Sequence, residues 1–381
     1  MKYLVLLTDG MSDEPQVSLG GKTPIEYATT PNMDKLATGG ECGFIRTVPD
    51  GFAPGSDVCN MSIFGYNPTE YYTGRGPLEA ASMGVALGDN DTVFRCNLVT
   101  LKDGCMEDFS AHHIANADAA VAIGRLHAMF GGLGIDFYQG LSYRHIMVVR
   151  DRKISVNTTP PHDITGQTYE KELPAGADSI FLQEIMDKAR EVFKNDTGMA
   201  NSIWLWGQGV RPAMPSFREL YGVNGACIAA VDLVKGIATC AGLEIINVPG
   251  ATGFIDTNYE GKAMHAIKAL HRYDYVYVHV EAPDEAGHMG KTDLKVKAIE
   301  DIDSRMLPTI IEGMKGFGEY RILLTPDHPT PIRIMTHASA PVPAILWGTG
   351  IDADSNTQYS EHIKPSFNIK HGFQIAKKLI L

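Results

Sequence analysis

The segment Ile322-Leu-Leu-Thr-Pro-Asp327-His328-Pro-Thr-Pro combines the pattern of a buried strand with side chains that can bind a metal, and it indicates the fold class of this chain. Its apolar start, Ile322 to Leu324, stops at a polar Thr-Pro pair, which predicts a buried parallel strand that ends in a loop. The loop carries Asp327 and His328, and a second histidine, His337, follows nine residues later. Because open α/β sheets bind ligands at the carboxyl ends of their strands, this loop is a candidate site.

A carboxylate beside an imidazole, with a second imidazole nearby, is a ligand set that suits a divalent metal such as Zn²⁺ or Mn²⁺. Adjacent residues of a strand point to opposite sides, so we expect Asp327 and His328 to reach two neighbouring ions more easily than to share one. The sequence Asp-His-Pro also suits an ordinary turn at a strand end. The other strand ends must therefore decide between a metal site and a turn.

Two further strand ends carry the same residue types. The continuous apolar run from Tyr3 to Leu7 stops at Thr8-Asp9-Gly10, so Asp9 is a candidate ligand. After the apolar run that ends at Val280, a loop places Asp284 and His288 four residues apart, a spacing that one helical turn puts on the same face. Three predicted strand ends thus supply carboxylates and imidazoles to one edge of a sheet.

Ser56 lies at the start of a predicted helix, whose apolar positions Val58, Met61 and Phe64 have helical spacing. We expect Ser56 to occupy the N-cap position. In that position it either only caps the helix or presents its hydroxyl, beside the free N–H groups, to a phosphate. Close to two ions about 4 Å apart, the hydroxyl would be activated as a nucleophile toward phosphorus.

Length, composition and charge exclude several classes of protein. The 381 residues, of which 44% are hydrophobic, allow about two globular domains. The net charge of −12 argues against general binding of nucleic acid or anionic membranes. The N-terminal apolar run is too short for a signal peptide or a membrane span, and six dispersed cysteines without a C-x-x-C pair favour reduced thiols, so we expect a cytoplasmic protein. Nothing in the pattern specifies an oligomeric state.

The chain changes character in its middle. Regular alternation of strands and helices is lost from about residue 70 to about residue 195, so we predict an inserted α+β domain of residues 71–195. The predicted catalytic domain then consists of residues 1–70 and 196–381. Asn195-Asp-Thr-Gly198 is predicted to end a helix, and Ser202-Ile-Trp-Leu-Trp206 is predicted to return to the main sheet. Gly207-Gln-Gly209 lacks the third glycine of the dinucleotide fingerprint, so no nicotinamide cofactor is expected.

Together these motifs resemble the archaeal-type, cofactor-independent phosphoglycerate mutases of the alkaline phosphatase superfamily. The resemblance covers nearly the whole chain and is carried by Leu7-Thr-Asp9-Gly, Pro54-Gly-Ser56-Asp-Val, Arg75-Gly-Pro-Leu-Glu79, Pro161-His-Asp163-Ile-Thr-Gly, Gly250-Ala-Thr-Gly-Phe-Ile-Asp-Thr-Asn-Tyr259, Pro283-Asp284-x-x-Gly-His288 and Pro326-Asp327-His328. It implies an α/β fold with a doubly wound, mostly parallel sheet of alkaline-phosphatase type and a smaller inserted domain. It also implies interconversion of 3-phosphoglycerate and 2-phosphoglycerate without 2,3-bisphosphoglycerate. A metal-dependent phosphatase or phosphonate hydrolase of the same superfamily is the alternative, and a protein that uses its metals only structurally is a further one.

The resemblance further implies two divalent ions, for which Mn²⁺, Zn²⁺, Mg²⁺ and Co²⁺ all remain open. The ligands of one ion would be Asp9, Asp327, His328 and the Ser56 hydroxyl, and those of the other Asp284, His288 and His337. Ser56 would take the phosphoryl group of 3-phosphoglycerate and return it to the 2-hydroxyl of the same glycerate.

In this family the inserted domain holds the glycerate. The candidates for that task here are Arg95, His113, Arg144, His162, Asp163 and, on a later loop, Arg211. Arginine suits a carboxylate because its planar fork is bidentate, and Asp163 would carry a proton near the 2- and 3-oxygens. His112 competes with His113 for the substrate-facing position, and Lys262 and Lys291 are the candidates for a lysine near the phosphate.

Overall fold

The structure is a computed structural model that describes residues 1–194 and 198–381. Its strands are β1 (Lys2–Thr8), β2 (Glu41–Ile45), β3 (Thr92–Lys102), β4 (Cys105–Asp108), β5 (Ile135–Tyr138), β6 (Arg144–Val149), β7 (Ser202–Gly209), β8 (Gly225–Ile228), β9 (Glu244–Ile245), β10 (Tyr275–Val280), β11 (Tyr320–Thr325), β12 (Val342–Gly348) and β13 (Phe367–Ile369).

Its helices are α1 (Pro24–Tyr27), α2 (Pro31–Thr38), α3 (Ser56–Ile63), α4 (Pro68–Tyr71), α5 (Arg75–Ser82), α6 (Asn116–Phe130), α7 (Ser179–Phe193), α8 (Phe217–Tyr221), α9 (Asp232–Cys240), α10 (Tyr259–Leu270), α11 (Ala282–His288), α12 (Thr292–Arg305), α13 (Leu307–Lys315) and α14 (Gln374–Ile380). Short 3-10 turns lie at Val17–Leu19, Gly131–Leu133, Pro161–Ile164 and Glu170–Glu172. None of these described helices is long and apolar enough to cross a membrane.

The chain divides into two compact units. The first consists of Met1–Tyr72 and Met214–Leu381, and the second of Thr73–Ala213. The predicted domain boundary at 195/196 and the first three residues of the predicted helix end at 195–198 lie outside the described residues. The second unit extends to Ala213 and includes β7, which pairs with β3 of that unit.

The first unit is built on an eight-stranded sheet in the order β13-β2-β12-β11-β1-β10-β8-β9. Its centre is parallel, since β1 pairs in parallel with both β10 and β11, and only β12 runs antiparallel to its neighbours. The residues of β10 are all buried, and β1 is buried from Tyr3 onward, as expected of parallel strands that helices cover on both faces. The predicted α/β fold with a mostly parallel sheet is therefore confirmed.

The second unit has its own antiparallel sheet of five strands, in which β3 pairs with β4, β6 and β7. The prediction that the segment from Ser202 to Trp206 returns to the main sheet is wrong, because these residues form β7 and pair with β3. An apolar strand followed by glycine has the same sequence pattern in either sheet. Periodicity alone therefore does not show which of the two sheets the strand joins. The unit has a separate core in which α6 and α7 pack on the sheet.

Candidate active site and its metal ligands

Three neighbouring strands of the first unit end at the candidate ligands. Asp9 follows β1 directly, Asp327 follows β11 after one proline, and α11 begins two residues after the end of β10. Since β11, β1 and β10 are adjacent and parallel, their carboxyl ends meet at one edge of the sheet. This edge is where an open α/β sheet binds its ligands.

The first ligand cluster contains Asp9, Asp327 and His328, whose ligand atoms all lie within 4.8 Å of one another. His328 Nε2 is 3.5 Å from Asp9 Oδ1 and 3.4 Å from Asp327 Oδ2. The Ser56 hydroxyl lies 3.3 Å from the same nitrogen. All three ligands are buried, so an uncompensated charge here would be costly.

The second ligand cluster contains Asp284, His288 and His337. His288 Nε2 lies 3.2 Å from Asp284 Oδ2 and 2.9 Å from His337 Nε2. Asp284 and His288 face the same way because they are one turn apart on α11, as their spacing predicts. The His337 ring also lies 4.0 Å, between centroids, from the ring of His328, so the two clusters are neighbours.

The electrostatics of these clusters favour a cation. Burial, followed by repulsion from Asp327 and Asp284, raises the pKa of Asp9 well above its usual range. Its Oδ1 is buried and has no hydrogen-bond partner among the described residues. Burial also tends to raise the pKa of Asp284, but hydrogen bonds from His288 and His337 outweigh it and hold that pKa well below its usual range.

These residues fit divalent ions. Each cluster offers carboxylate oxygen and imidazole nitrogen within the span of one coordination sphere, and the orphaned Asp9 oxygen is the kind of buried acceptor that an ion satisfies. Burial lowers the pKa of His328, which keeps its imidazole neutral, the form that binds metal.

Asp327 and His328 point into the same cluster. The expectation from strand geometry that the two side chains diverge is therefore wrong. Strand alternation does not apply to them, because β11 ends at Thr325 and both residues lie in the following loop. The backbone N–H of His328 donates to Asp327 Oδ1 at 2.8 Å, a local bond that holds the two side chains on one side.

Ser56 is the first residue of α3, and Gly55 is its N-cap. The expectation that Ser56 itself is the N-cap is wrong by one position, and the Asp57 side chain accepts from the first-turn backbone N–H of Val58 at 2.9 Å. The difference matters because the Ser56 hydroxyl does not cap the helix and instead lies beside His328 Nε2. It stands at a helix N-terminus, where free N–H groups favour a phosphate.

Two buried residues around the first cluster have no counterpart in the sequence predictions. Asn60, one turn after Ser56, donates from Nδ2 to Asp327 Oδ2 at 2.9 Å. His279 on β10 places Nε2 2.9 Å from Asp9 Oδ2. One sequence signal could have revealed His279. It is the one ionisable imidazole in the otherwise apolar and aromatic strand Tyr-Val-Tyr-Val-His-Val, whose residues are all buried.

The two candidate lysines differ in their surroundings. Lys262 is fully buried on α10, and its Nζ donates to the backbone oxygen of His279 at 3.1 Å. Burial lowers the pKa of Lys262 to about 8. Lys291 is exposed and is the N-cap of α12. Lys262 is thus packed behind a strand that carries the site, whereas Lys291 lies on the surface.

In the second unit, several of the predicted glycerate-binding residues surround Trp206 on β7. The Arg95 guanidinium lies 4.4 Å from the centre of the indole ring, and the His162 ring lies 5.3 Å from it. Arg95 is 5% exposed and its Nε is 3.0 Å from Glu79 Oε2. Arg75, which the sequence reasoning did not select, lies 5.9 Å from the same indole. A buried arginine beside aromatic rings is suited to a planar carboxylate.

His113 and Arg144 adjoin this group through Tyr143. The His113 ring lies 6.0 Å from the Tyr143 ring, and the Arg144 guanidinium lies 5.6 Å from it. His112 instead places Nδ1 3.5 Å from Asp108 Oδ2. Ala111, His112 and His113 all have positive φ, which costs each non-glycine residue about 1 kcal/mol. Such strained turns occur preferentially at functional sites.

Asp163 and Arg211 are both exposed candidates of the second unit. Asp163 lies in the 3-10 turn Pro161–Ile164, with Oδ1 3.6 Å from His162 Nε2. Arg211 follows β7 and lies 4.0 Å from the exposed Asp89. Asp163 therefore adjoins the Trp206 group through His162, whereas the contacts of the described residues do not connect Arg211 to that group.

Comparison with known proteins finds close relatives over the full chain. Residues 37–197 match the sequence profile of 2,3-bisphosphoglycerate-independent phosphoglycerate mutase. A probable enzyme of that name from Geobacter sulfurreducens is 54% identical, with 100% of each chain covered. The PH0037 protein of Pyrococcus horikoshii has a similar structure, with a TM-score of 0.84, 31% identity, and 99% and 96% of the two chains covered. The cofactor-independent phosphoglycerate mutase of Thermoplasma acidophilum shares the fold, with a TM-score of 0.68, 24% identity, and 100% and 99% of the two chains covered.

Proposed function

Because the chain belongs to the 2,3-bisphosphoglycerate-independent phosphoglycerate mutase family, we propose that Ser56 and two divalent ions carry its phosphoryl transfer. The chain is an isomerase that interconverts 3-phosphoglycerate and 2-phosphoglycerate, and the family membership decides against the hydrolase alternative. The family's name also states its independence of 2,3-bisphosphoglycerate.

A single observation carries the proposal. The Ser56 hydroxyl stands at the N-terminus of α3 and lies 3.3 Å from a nitrogen of the Asp9–Asp327–His328 cluster. A phosphoryl group next to Ser56 would therefore meet free helix N–H groups and the site's cations together. This is the environment that phosphoryl transfer needs, since its catalysis rests mostly on positioning and on stabilisation of charge.

We propose that Asp9, Asp327, His328 and the Ser56 hydroxyl hold one ion, and that Asp284, His288 and His337 hold the other. Bound Mn²⁺, Zn²⁺, Mg²⁺ or Co²⁺ ions would offset the charge of the phosphoryl group and lower the pKa of the serine hydroxyl. Asn60 and His279 orient the two carboxylates of the first cluster by hydrogen bonds. Ligands held in this way lose little freedom when the ion binds.

The chemistry consists of two displacements at phosphorus. Ser56 loses its hydroxyl proton, its Oγ attacks the phosphorus of 3-phosphoglycerate, the bond from phosphorus to the 3-oxygen breaks, and the 3-oxygen takes up a proton. In the second displacement the 2-hydroxyl of the same glycerate loses its proton and its oxygen attacks the phosphoserine, so that the bond from phosphorus to Oγ breaks and Ser56 regains a proton. The mutase outcome requires that glycerate stays bound and that water is excluded between the two steps.

The second unit carries the groups that we propose bind glycerate. Arg95 and Arg144 supply positive charge for its carboxylate. His162 lies beside the Trp206 ring that Arg95 contacts, and His113 lies beside the Tyr143 ring that Arg144 contacts. Asp163 is proposed to carry the proton between the 3-oxygen and the 2-oxygen. Arg211 remains a candidate on chemical grounds, as a largely exposed arginine of the same unit.

Replacement of Ser56 by alanine tests the proposal. We expect Ser56→Ala to fold normally but to lose turnover of 3-phosphoglycerate and the phosphoenzyme that intact-mass measurement should detect in the wild type. Ser62→Ala is the matched control. It removes a buried hydroxyl from the same helix, and that hydroxyl donates to the backbone oxygen of Thr47 rather than to a residue of the clusters. Near-normal turnover in Ser56→Ala would reject the covalent role, and wild-type turnover that survives removal of metal by EDTA would reject the role of the ions.

A further inference from the structure

Thr330 lies between the two ligand clusters and touches both. It follows Asp327 by three residues and is fully buried. Its hydroxyl donates a hydrogen bond to Oδ1 of Asp284, a member of the second cluster. The same oxygen is 3.3 Å from Nδ1 of His328, a ligand of the first cluster. One hydroxyl therefore joins residues that are proposed to bind different ions.

The donor and the acceptor in each of these two hydrogen bonds can be assigned. A threonine hydroxyl has a single hydrogen to donate, and an ionised carboxylate can only accept. The Thr330 hydroxyl consequently donates to Asp284 and accepts from Nδ1–H of His328. With its hydrogen on Nδ1, His328 keeps a lone pair on Nε2, which is the atom 3.3 Å from Ser56 Oγ and 3.4 Å from Asp327. Metal binding by an imidazole requires that lone pair, and the hydrogen bond at the other nitrogen usually selects the tautomer.

The backbone of Thr330 is held by a buried ion pair. Lys295 is fully buried, and its Nζ donates to the backbone oxygen of Thr330 at 2.8 Å and to Asp13 Oδ2 at 2.8 Å. The backbone N–H of Thr330 donates to the oxygen of Ser12 at 3.2 Å. A Cβ on Gly287 would come within 2.6 Å of the Thr330 oxygen, so α11 packs directly on this residue. The hydroxyl therefore has little freedom to turn away from its partners.

We propose that Thr330 is a positioning residue that sets up both ion sites at once, by fixing the His328 tautomer on one side and the Asp284 carboxylate on the other. The inference rests on the proposed function, in which these clusters hold two divalent ions. It adds that the two sites are not independent, since a single hydroxyl outside both ligand sets supports each of them. Removal of one hydrogen-bonding group in such an outer layer typically lowers metal affinity by about 10- to 100-fold.

The test is a titration of metal-stripped protein with Mn²⁺ alone and, separately, with Zn²⁺ alone. Each titration gives the number of ions bound and the affinity of each. Thr330→Val keeps the shape but removes the hydroxyl, and we expect it to weaken both ions by about 10-fold or more. Thr330→Ser keeps the hydroxyl but loses the methyl group, and both affinities should stay within about 3-fold of the wild type. If Thr330 only filled space, loss of the methyl group would weaken binding in this variant as well. Should Thr330→Val fail to fold, Thr330→Ala decides in the same titration.

Thr30→Val is the matched control, because the buried Thr30 hydroxyl makes no hydrogen bond in the described part of the chain. Its ion binding should equal that of the wild type. Wild-type affinities for both ions in Thr330→Val, or loss of one ion with the other unchanged, would overturn the inference while leaving the two-ion site intact. A wild type that binds fewer than two ions would instead overturn the two-ion site and this inference with it.

Discussion

Two buried histidines show how local surroundings set the role of a residue. Burial lowers the pKa of His279 to about 3, so its ring is neutral and its Nε2–H can donate to Asp9. Burial likewise lowers the pKa of His145 to about 4, in the core of the second unit. Its Nδ1 accepts from the backbone N–H of Gly140 at 3.1 Å, and its buried Nε2 has no partner among the described residues. His145 therefore offers a measurable pH dependence away from the metal ligands.

We expect His145 to make the second unit less stable in acid. An unfolded histidine has a pKa near 6.5, so between about pH 6.5 and pH 4 the unfolded chain binds a proton that the folded chain does not. The free energy of unfolding then falls as pH falls, by about 2 kcal/mol between pH 7 and pH 5 for this group. His145→Asn cannot titrate and keeps an acceptor for Gly140, so urea unfolding followed by tryptophan fluorescence should show a smaller loss for this variant.

The exposed His371 provides a matched control, since His371→Asn removes a histidine from the surface of the first unit. This variant should lose stability in acid as the wild type does. Equal losses between pH 7 and pH 5 in the wild type and in His145→Asn would show that His145 does not contribute to the acid sensitivity.

At the scale of elements, α3 connects the proposed nucleophile with the ligand that follows β11. Ser56 and Asn60 are one turn apart, so both face the first ligand cluster. Asn60 donates to Asp327 Oδ2 at 2.9 Å and accepts from the Tyr277 hydroxyl of β10 at 2.7 Å. The helix thereby fixes the carboxylate of a proposed ligand of the first ion, while its own N-terminus presents the serine.

We expect Asn60→Leu to weaken ion binding at the first cluster by about 10-fold, because Asp327 loses its side-chain donor. The apo protein should also lose about 1–3 kcal/mol of stability, since a buried acceptor and the Tyr277 hydroxyl are left without this partner. Calorimetric titration with Mn²⁺ and urea unfolding measure the two effects. Tyr277→Phe, which removes only the outer bond, should have a smaller effect on ion affinity.

Ser62→Ala serves again as the control, because Ser62 lies on the same helix and bonds to the Thr47 backbone oxygen rather than to a ligand. It should lower stability without changing ion affinity. If Asn60→Leu also binds Mn²⁺ with wild-type affinity, Asn60 only packs the helix and does not orient Asp327.

At the scale of the whole molecule, the proposed chemistry is divided between two compact units. Every proposed metal ligand and Ser56 belong to the unit formed by Met1–Tyr72 and Met214–Leu381. The arginines, histidines and Asp163 proposed for glycerate belong to Thr73–Ala213. Damage to the second set should therefore spare formation of the phosphoserine more than its return to glycerate.

Asp163→Asn tests that division, because it removes the proposed proton carrier with almost no change in shape. We expect the phosphoserine to form, its transfer to the 2-oxygen to slow, and a larger share of phosphate to be lost to water. Phosphorus NMR of 3-phosphoglycerate turnover gives the ratio of inorganic phosphate to 2-phosphoglycerate.

Asp118→Asn, which changes an exposed aspartate of α6 in the same unit, is the matched control and should leave that ratio unchanged. A wild-type ratio together with a wild-type rate in Asp163→Asn would remove Asp163 from the mechanism.

Features that depend on a local pattern of residues could be predicted from the sequence. Continuous apolar runs gave β1, β10 and β11, and the polar residues after them identified the edge of the sheet where Asp9, Asp284 and Asp327 meet. The four-residue spacing of Asp284 and His288 correctly placed both on one face of α11. The family resemblance, carried by motifs across the chain, is confirmed by the full-length relatives.

The packing of distant elements sets which groups share a cluster and which sheet each strand joins, so neither could be predicted from local pattern. Asp327 and His328 converge because the strand ends before them, and β7 joins β3 rather than the main sheet. Asn60 reaches Asp327 across 267 residues of sequence, and His279 reaches Asp9 across 270. Periodicity reports the conformation of neighbouring residues, whereas these contacts depend on how distant elements pack, so buried polar residues such as Thr330 acquire their roles only in the folded chain.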